Sequence, residues 1–126
     1  MNTRGGGELI GVAIVDDDID FAESLAALLD LDSRIDIVGI AGSVAAGAEL
    51  VQQPGVGVAL IDVNMPDGGG VGLVRRVGAV DHRVAMLLVS AQRCPADLGA
   101  DGVRFAPKHA LSADLVHEVA MSHGHG

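Results

Sequence analysis

A chain of 126 residues is enough for one domain and not two. Hydrophobic residues make up 49% and aromatics 2%, with no Trp or Tyr, so the core must be aliphatic, a composition suited to parallel strands buried on both faces. The formal net charge of −9 repels a phosphate polymer and argues against direct DNA or RNA binding by this chain.

Residues 1–7 are polar and glycine-rich, lack the apolar stretch of a signal peptide, and read as a flexible leader. Residues 9–15 are short, β-branched and bounded by glycines and aspartates, which predicts a first strand. Residues 19–30 carry Phe21, Leu25 and Leu28 at helical spacing, and 35–41 predict a second strand. Ser43 is placed to cap a helix over 44–53, which Pro54 and Gly55 stop. Residues 56–63 have almost no polar member and predict a central third strand; 64–70 is a loop rich in Pro and Gly. Val71, Val74 and Val77 share one face of a helix over 71–80, and 84–89 predict a fourth strand. A helix over 91–101 would be interrupted by Pro95 and Gly99, so it is expected to be short or irregular. Residues 103–106 predict a short fifth strand, an edge strand because Pro107 cannot donate a ladder hydrogen bond. Ser112 caps a last helix through Leu115, Val116 and Val119, and residues 122–126 read as a flexible tail. His117, His123 and His125 go with that tail rather than with a metal site. The lone cysteine, Cys94, cannot form an internal disulfide and points to a reducing, cytoplasmic setting. No apolar run approaches the ~20 residues of a membrane span.

Five βα units in one domain predict an α/β fold, a parallel sheet with helices on both faces. In such a sheet the binding site lies beyond the carboxyl ends of the strands. Asp16, Asp17 and Asp18 follow the first strand, Asp62 ends the third, Ser90 the fourth, and Lys108 the fifth. If strands one, three, four and five are neighbours, these groups meet on one rim. Mg²⁺ takes oxygen ligands, often carboxylates with waters and phosphate oxygens. A carboxylate can act as the nucleophile on phosphorus, and phosphoryl transfer needs mainly positioning and charge neutralisation. Lys108 is the only lysine beside seven arginines, a compact charge on a flexible stem suited to a single phosphoryl oxygen. Plainer uses exist for each residue. The three aspartates suit a helix N-terminus, Asp62 a turn, Ser90 a cap, and Phe105 a core.

Val15-Asp16-Asp17, Asp62 followed by Met65-Pro66, Ser90-Ala91, and Lys108 together resemble the response-regulator receiver domain over residues 9–121. The resemblance implies a flavodoxin-like, doubly wound five-stranded sheet in the order 2-1-3-4-5. It implies that Asp16 and Asp17 hold Mg²⁺ with Asp62 and the Asn64 backbone carbonyl. Asp62 would accept the phosphoryl group, Ser90 would be the switch hydroxyl, Lys108 the phosphate partner and Phe105 the rotating aromatic. It further implies a sensor histidine kinase or phosphotransfer protein as donor, a downstream protein or a second copy as reader, and a regulatory rather than enzymatic role. Lys108 follows Ser90 by 18 positions, roughly a helical turn short of the family's usual spacing. The alternative function is a phosphorylation-independent interaction module on the same fold. A flavin carrier would want a hydroxyl-rich loop where the three aspartates stand. A haloacid-type hydrolase would place its nucleophile after the first strand.

Overall fold

Alternating buried side chains place two apolar layers on either side of one parallel sheet. The computed structural model describes residues 9–65, 72–73, 84–91 and 104–123. In chain order it contains β1 (Ile10–Val15), α1 (Ile19–Asp30), β2 (Ile35–Ala41), α2 (Val44–Val51), β3 (Val58–Asp62), β4 (Ala85–Ser90), β5 (Arg104–Pro107) and α3 (Ala113–His123), with a 3₁₀ turn at Lys108–Ala110. The strands run parallel in the order β2-β1-β3-β4-β5, as expected. β1 and β3 are buried along their whole length. Val12, Ile14, Val58, Leu60, Leu87 and Val89 point to one face, against Ala22, Leu25 and Leu29 of α1 and Val116 and Val119 of α3. Ala13, Val15, Ala59, Ile61 and Leu88 point to the other, against Val44, Ala48 and Val51 of α2. Burying each Val, Leu or Ile side chain contributes about 2 kcal/mol, so the sheet is held from both sides.

α1, α2 and α3 each start at a side-chain cap. Asp18, Ser43 and Ser112 accept from the backbone N–H of Phe21, Ala46 and Leu115, each at 3.1 Å. Such a cap contributes about 1 kcal/mol. Arg34 ties the turn after α1 to α3, donating to Asp32 at 2.7 Å and to Asp114 at 2.9 Å. The guanidinium, bonding to the carboxylate, holds Asp32 well below the usual carboxylate range. Its stabilising ionisation is therefore present above the ordinary carboxylate pKa and is lost only as pH falls through the depressed one. Carboxylate NMR should show Asp32 still ionised when exposed carboxylates have protonated. Arg34→Gln should bring it back among them; an unchanged titration would remove Arg34 as the cause.

Several boundaries differ from the expectations. Leu28 is 55% exposed, because α1 buries the equally regular stripe Ala22, Leu25, Leu29 instead. α2 ends two residues early, and the chain turns at Gly55 with φ +94°. β3 is shorter than 56–63 at both ends, although Val63 still donates to the Val89 carbonyl at 2.9 Å. β5 includes Pro107 and is an edge strand, as proline requires. α3 runs through Ser122 and His123, so it takes in His117 and two residues expected in the tail. The leader, the loop from residue 66, most of the helices expected at 71–80 and 91–101, Cys94, Val103 and His125 lie outside the described residues. Among the described residues no helix is long and apolar enough to cross a membrane.

Gly11, inside β1, lies against the turn at Gly55. A Cβ at Gly11 would overlap the Gly55 carbonyl oxygen, and the Gly57 N–H donates to the Gly11 carbonyl at 2.8 Å. The close approach holds the entry of β3 against β1.

Candidate functional site

β1, β3, β4 and β5 are consecutive neighbours in the sheet or joined through one another, so the polar residues at their carboxyl ends converge. Asp16 follows β1 and is 1% exposed; its N–H donates to the Ala41 carbonyl at 2.9 Å. Its Oδ1 accepts from the Asp18 N–H at 2.9 Å, which turns the chain toward α1. Asp18 is spent as the cap of α1, so the plainer use of an acidic helix start holds for that residue. Asp17 is exposed on the rim.

Asp62 ends β3 and is 5% exposed; its Oδ1 accepts from the Asn64 N–H at 3.0 Å. Ser90 ends β4 and is 2% exposed; its Oγ accepts from Asn64 Nδ2 at 3.1 Å. Lys108 opens the turn after β5. Its Nζ lies 2.7 Å from Asp16 Oδ2, 3.7 Å from Asp62 Oδ2 and 4.3 Å from the centroid of the Phe21 ring.

One carboxylate oxygen each from Asp16, Asp17 and Asp62 lies within 4.8 Å of the others. That is a hard-oxygen donor set able to hold a divalent cation. Asp16 Oδ2 is buried without an aligned hydrogen-bond donor; the Lys108 ammonium meets it as a charge. Three carboxylates this close to a single ammonium leave negative charge that a divalent cation would balance. Burial raises the Asp16 carboxyl above its ordinary value, against the lowering pull of Lys108 and the Asp18 N–H, and the Asp62 charge adds to the rise. Burial acts to lower the Lys108 ammonium, but the Asp16 and Asp62 carboxylates outweigh it and hold its pKa above the ordinary value.

A model of the response regulator receiver domain matches residues 12–116. The chain belongs to this family. Over 67 residues it is 40% identical to the DNA-binding transcriptional activator DevR/DosR of Mycobacterium tuberculosis, a match taking in 53% of this chain and 31% of that protein. The match therefore spans under a third of that relative's length. Its fold is similar to the signal receiver domain of the response regulator NarL from Mycobacterium tuberculosis, with a TM-score of 0.79 and 27% identity over 93% of this chain and 98% of that one. It is also similar in fold to the CheX–CheY complex with BeF3 and Mg²⁺ from Borrelia burgdorferi, with a TM-score of 0.73 and 21% identity over 90% of this chain and 87% of that one.

In this receiver Asp16, Asp17, Asp62, Asn64, Ser90 and Lys108 meet at the rim, and Phe105 lies beside it. Asp16, Asp17, Asp62 and Lys108 form one cluster. Ser90 is joined to it through Asn64, whose side chain and N–H are both engaged. Phe105 is half-buried beside Leu88 in the register of β4 and β5, within the cluster on the α2 face. Ser90 is two residues beyond Leu88, so strand alternation puts it on the same side as Phe105. Two features were not anticipated. Phe21, taken for a helix-spacing residue, faces the Lys108 ammonium, and Asn64 bonds Ser90 through its amide. The available signal for Phe21 was an aromatic in the first turn after the acidic strand end.

Proposed function

We propose that this chain is the phospho-acceptor of a two-component system, and that Asp62 takes a phosphoryl group from a sensor histidine kinase or a phosphotransfer protein. The observation carrying this reading is the buried Asp62 carboxylate, 3.7 Å from the Lys108 ammonium and grouped with the oxygens of Asp16 and Asp17. Asp16, Asp17 and Asp62, with the Asn64 backbone carbonyl, would hold Mg²⁺. When bound, the ion neutralises charge on the transferring group. An Asp62 oxygen attacks phosphorus, the bond from phosphorus to the donor nitrogen breaks, and the donor imidazole keeps that electron pair. Lys108 balances charge on one phosphoryl oxygen, and the Ser90 hydroxyl donates to another after leaving Asn64. Ser90 and Phe105 share a face, so movement of the hydroxyl opens space for the ring. The altered surface beside β5 would be read by a downstream protein or a second copy. The role is regulatory rather than that of a turnover enzyme.

Acetyl phosphate with Mg²⁺ should add one phosphoryl group to the wild type and none to Asp62→Asn, read by intact-mass spectrometry. An unmodified wild type would instead favour a phosphorylation-independent interaction module; modification of Asp62→Asn would place the nucleophile elsewhere. Mg²⁺ alone should raise the melting temperature. At about 100-fold above Kd, linkage gives about 2.7 kcal/mol, or roughly 10 °C for a domain of this size. Asp17→Asn should lose most of that rise. An equal rise in both proteins would take Asp17 out of the metal site.

A further inference from the structure

Among the described residues the Lys108 ammonium meets two carboxylates and one aromatic ring. Its Nζ is nearer Asp16, at 2.7 Å, than Asp62, at 3.7 Å, and the third neighbour is the Phe21 ring at 4.3 Å. That distance is inside the ~6 Å over which a cation is drawn to a ring face. Phe21 is half-buried in the first turn of α1 and packs against the core cluster. Its backbone N–H is fixed by Asp18 at 3.1 Å. A ring serving only as core filler has no need to meet an ammonium.

We propose that Phe21 is a positioning residue for Lys108: its ring face keeps the ammonium at the rim while it moves from Asp16 toward the phosphoryl group on Asp62. The inference rests on the reading of Asp62 as acceptor and Lys108 as its phosphate partner. The two carboxylates compete for one cation, and that cation is held nearer the carboxylate that is not the acceptor. A metal taking Asp16 as ligand would release the ammonium from its shorter contact. Hydrogen bonds to a carboxylate are directional, whereas attraction to a ring face is broad. The ring therefore lets the ammonium shift between oxygens while remaining partly shielded from water; the Lys108 side chain is only 15% exposed. Leucine at this position would keep most of the packing and lose the ring face.

The chain's single lysine makes the test direct, because lysine labelled with ¹³C yields one set of side-chain signals. The wild-type Lys108 Hε protons should be shifted upfield by the ring; Phe21→Leu should abolish the shift and Phe21→Tyr keep it. With acetyl phosphate and Mg²⁺, Phe21→Leu should slow phosphorylation about three- to ten-fold, and Phe21→Tyr should restore it to within about twofold. Mg²⁺ affinity, read from melting temperatures, should be the same in all three. Phosphorylation of Phe21→Leu at the wild-type rate, while Lys108→Ala is slow, would overturn the inference and leave the function standing. Equal slowing in Phe21→Tyr and Phe21→Leu would also overturn it, since packing alone would then be at stake. A wild type whose Lys108 signals are not shifted overturns it without reference to chemistry. A wild type that takes no phosphoryl group overturns the functional reading itself, and this inference with it.

Discussion

Lys108→Ala is expected to lose about 3 kcal/mol of stability at pH 7 in EDTA, and millimolar Mg²⁺ to return most of it. Removing one partner of a buried ion pair costs about 3–5 kcal/mol, because the other charge stays buried without compensation. Here the side chains of Asp16 and Asp62 are 2% and 7% exposed, so neither can turn to water without moving backbone. The lower end of the range applies, since Lys108 itself keeps some solvent contact. The pH dependence has a definite sign. The Asp16 pKa is raised in the fold by burial, so its ionisation opposes folding; this cost is fully present above the folded pKa and disappears as pH falls below the unfolded one. Without Lys108 that pKa rises further, and the deficit of the variant should shrink on mild acidification. The pKa of Lys108 is raised above its ordinary value of 10.5. Its stabilisation is thus complete below that value and lost as pH rises through the folded pKa. The difference between the two proteins should be largest near neutrality and fade at both extremes, measured by urea unfolding across pH. Equal stability at pH 7 in EDTA would mean that the carboxylates are not held together as described.

Gly11→Ala should cost about 3 kcal/mol or more, the range of substitutions that force backbone to move. The added methyl would overlap the Gly55 carbonyl and press on Val38 Cγ2 at 3.2 Å. The turn would have to move away, and with it the bond from the Gly57 N–H to the Gly11 carbonyl at 2.8 Å. Gly55→Ala is the useful contrast. It meets nothing within 4 Å, but its φ of +94° disfavours a side chain, which costs about 1 kcal/mol. Urea unfolding of the two variants should therefore rank Gly11→Ala well below Gly55→Ala. The reverse order would mean that the turn does not press on β1.

Runs of Val, Ile and Leu made the strands readable, because strands buried on both faces leave no polar member to confuse the pattern. The rim was readable for a related reason: Asp16, Asp62 and Ser90 are the first polar residues to interrupt those runs in β1, β3 and β4. Spacing alone does not tell which of two regular stripes α1 buries: Phe21, Leu25 and Leu28 are as regular as Ala22, Leu25 and Leu29, which go inward. Contacts that depend on approach rather than on pattern were invisible. Gly11 against Gly55 is one, and the link from Arg34 to Asp114, 80 positions apart, is another. Phe21 belongs to the same class, since an aromatic at helical spacing looks alike whether it faces the core or a cation.

The two edges of the sheet are unequal, and this governs how the molecule should fail under stress. β5 is four residues long, begins with Arg104, and ends in a proline that cannot donate to an incoming chain. β2 is seven residues long, and Asp36 is its only charge among Ile35, Ile37, Val38 and Ile40. A long, β-branched edge with one charged residue is a template for pairing with another chain once the helices beside it loosen. Aggregation on heating should therefore start at β2, and a lysine in place of Val38 should delay it relative to the variant's own unfolding midpoint, which the lost packing of Val38 lowers.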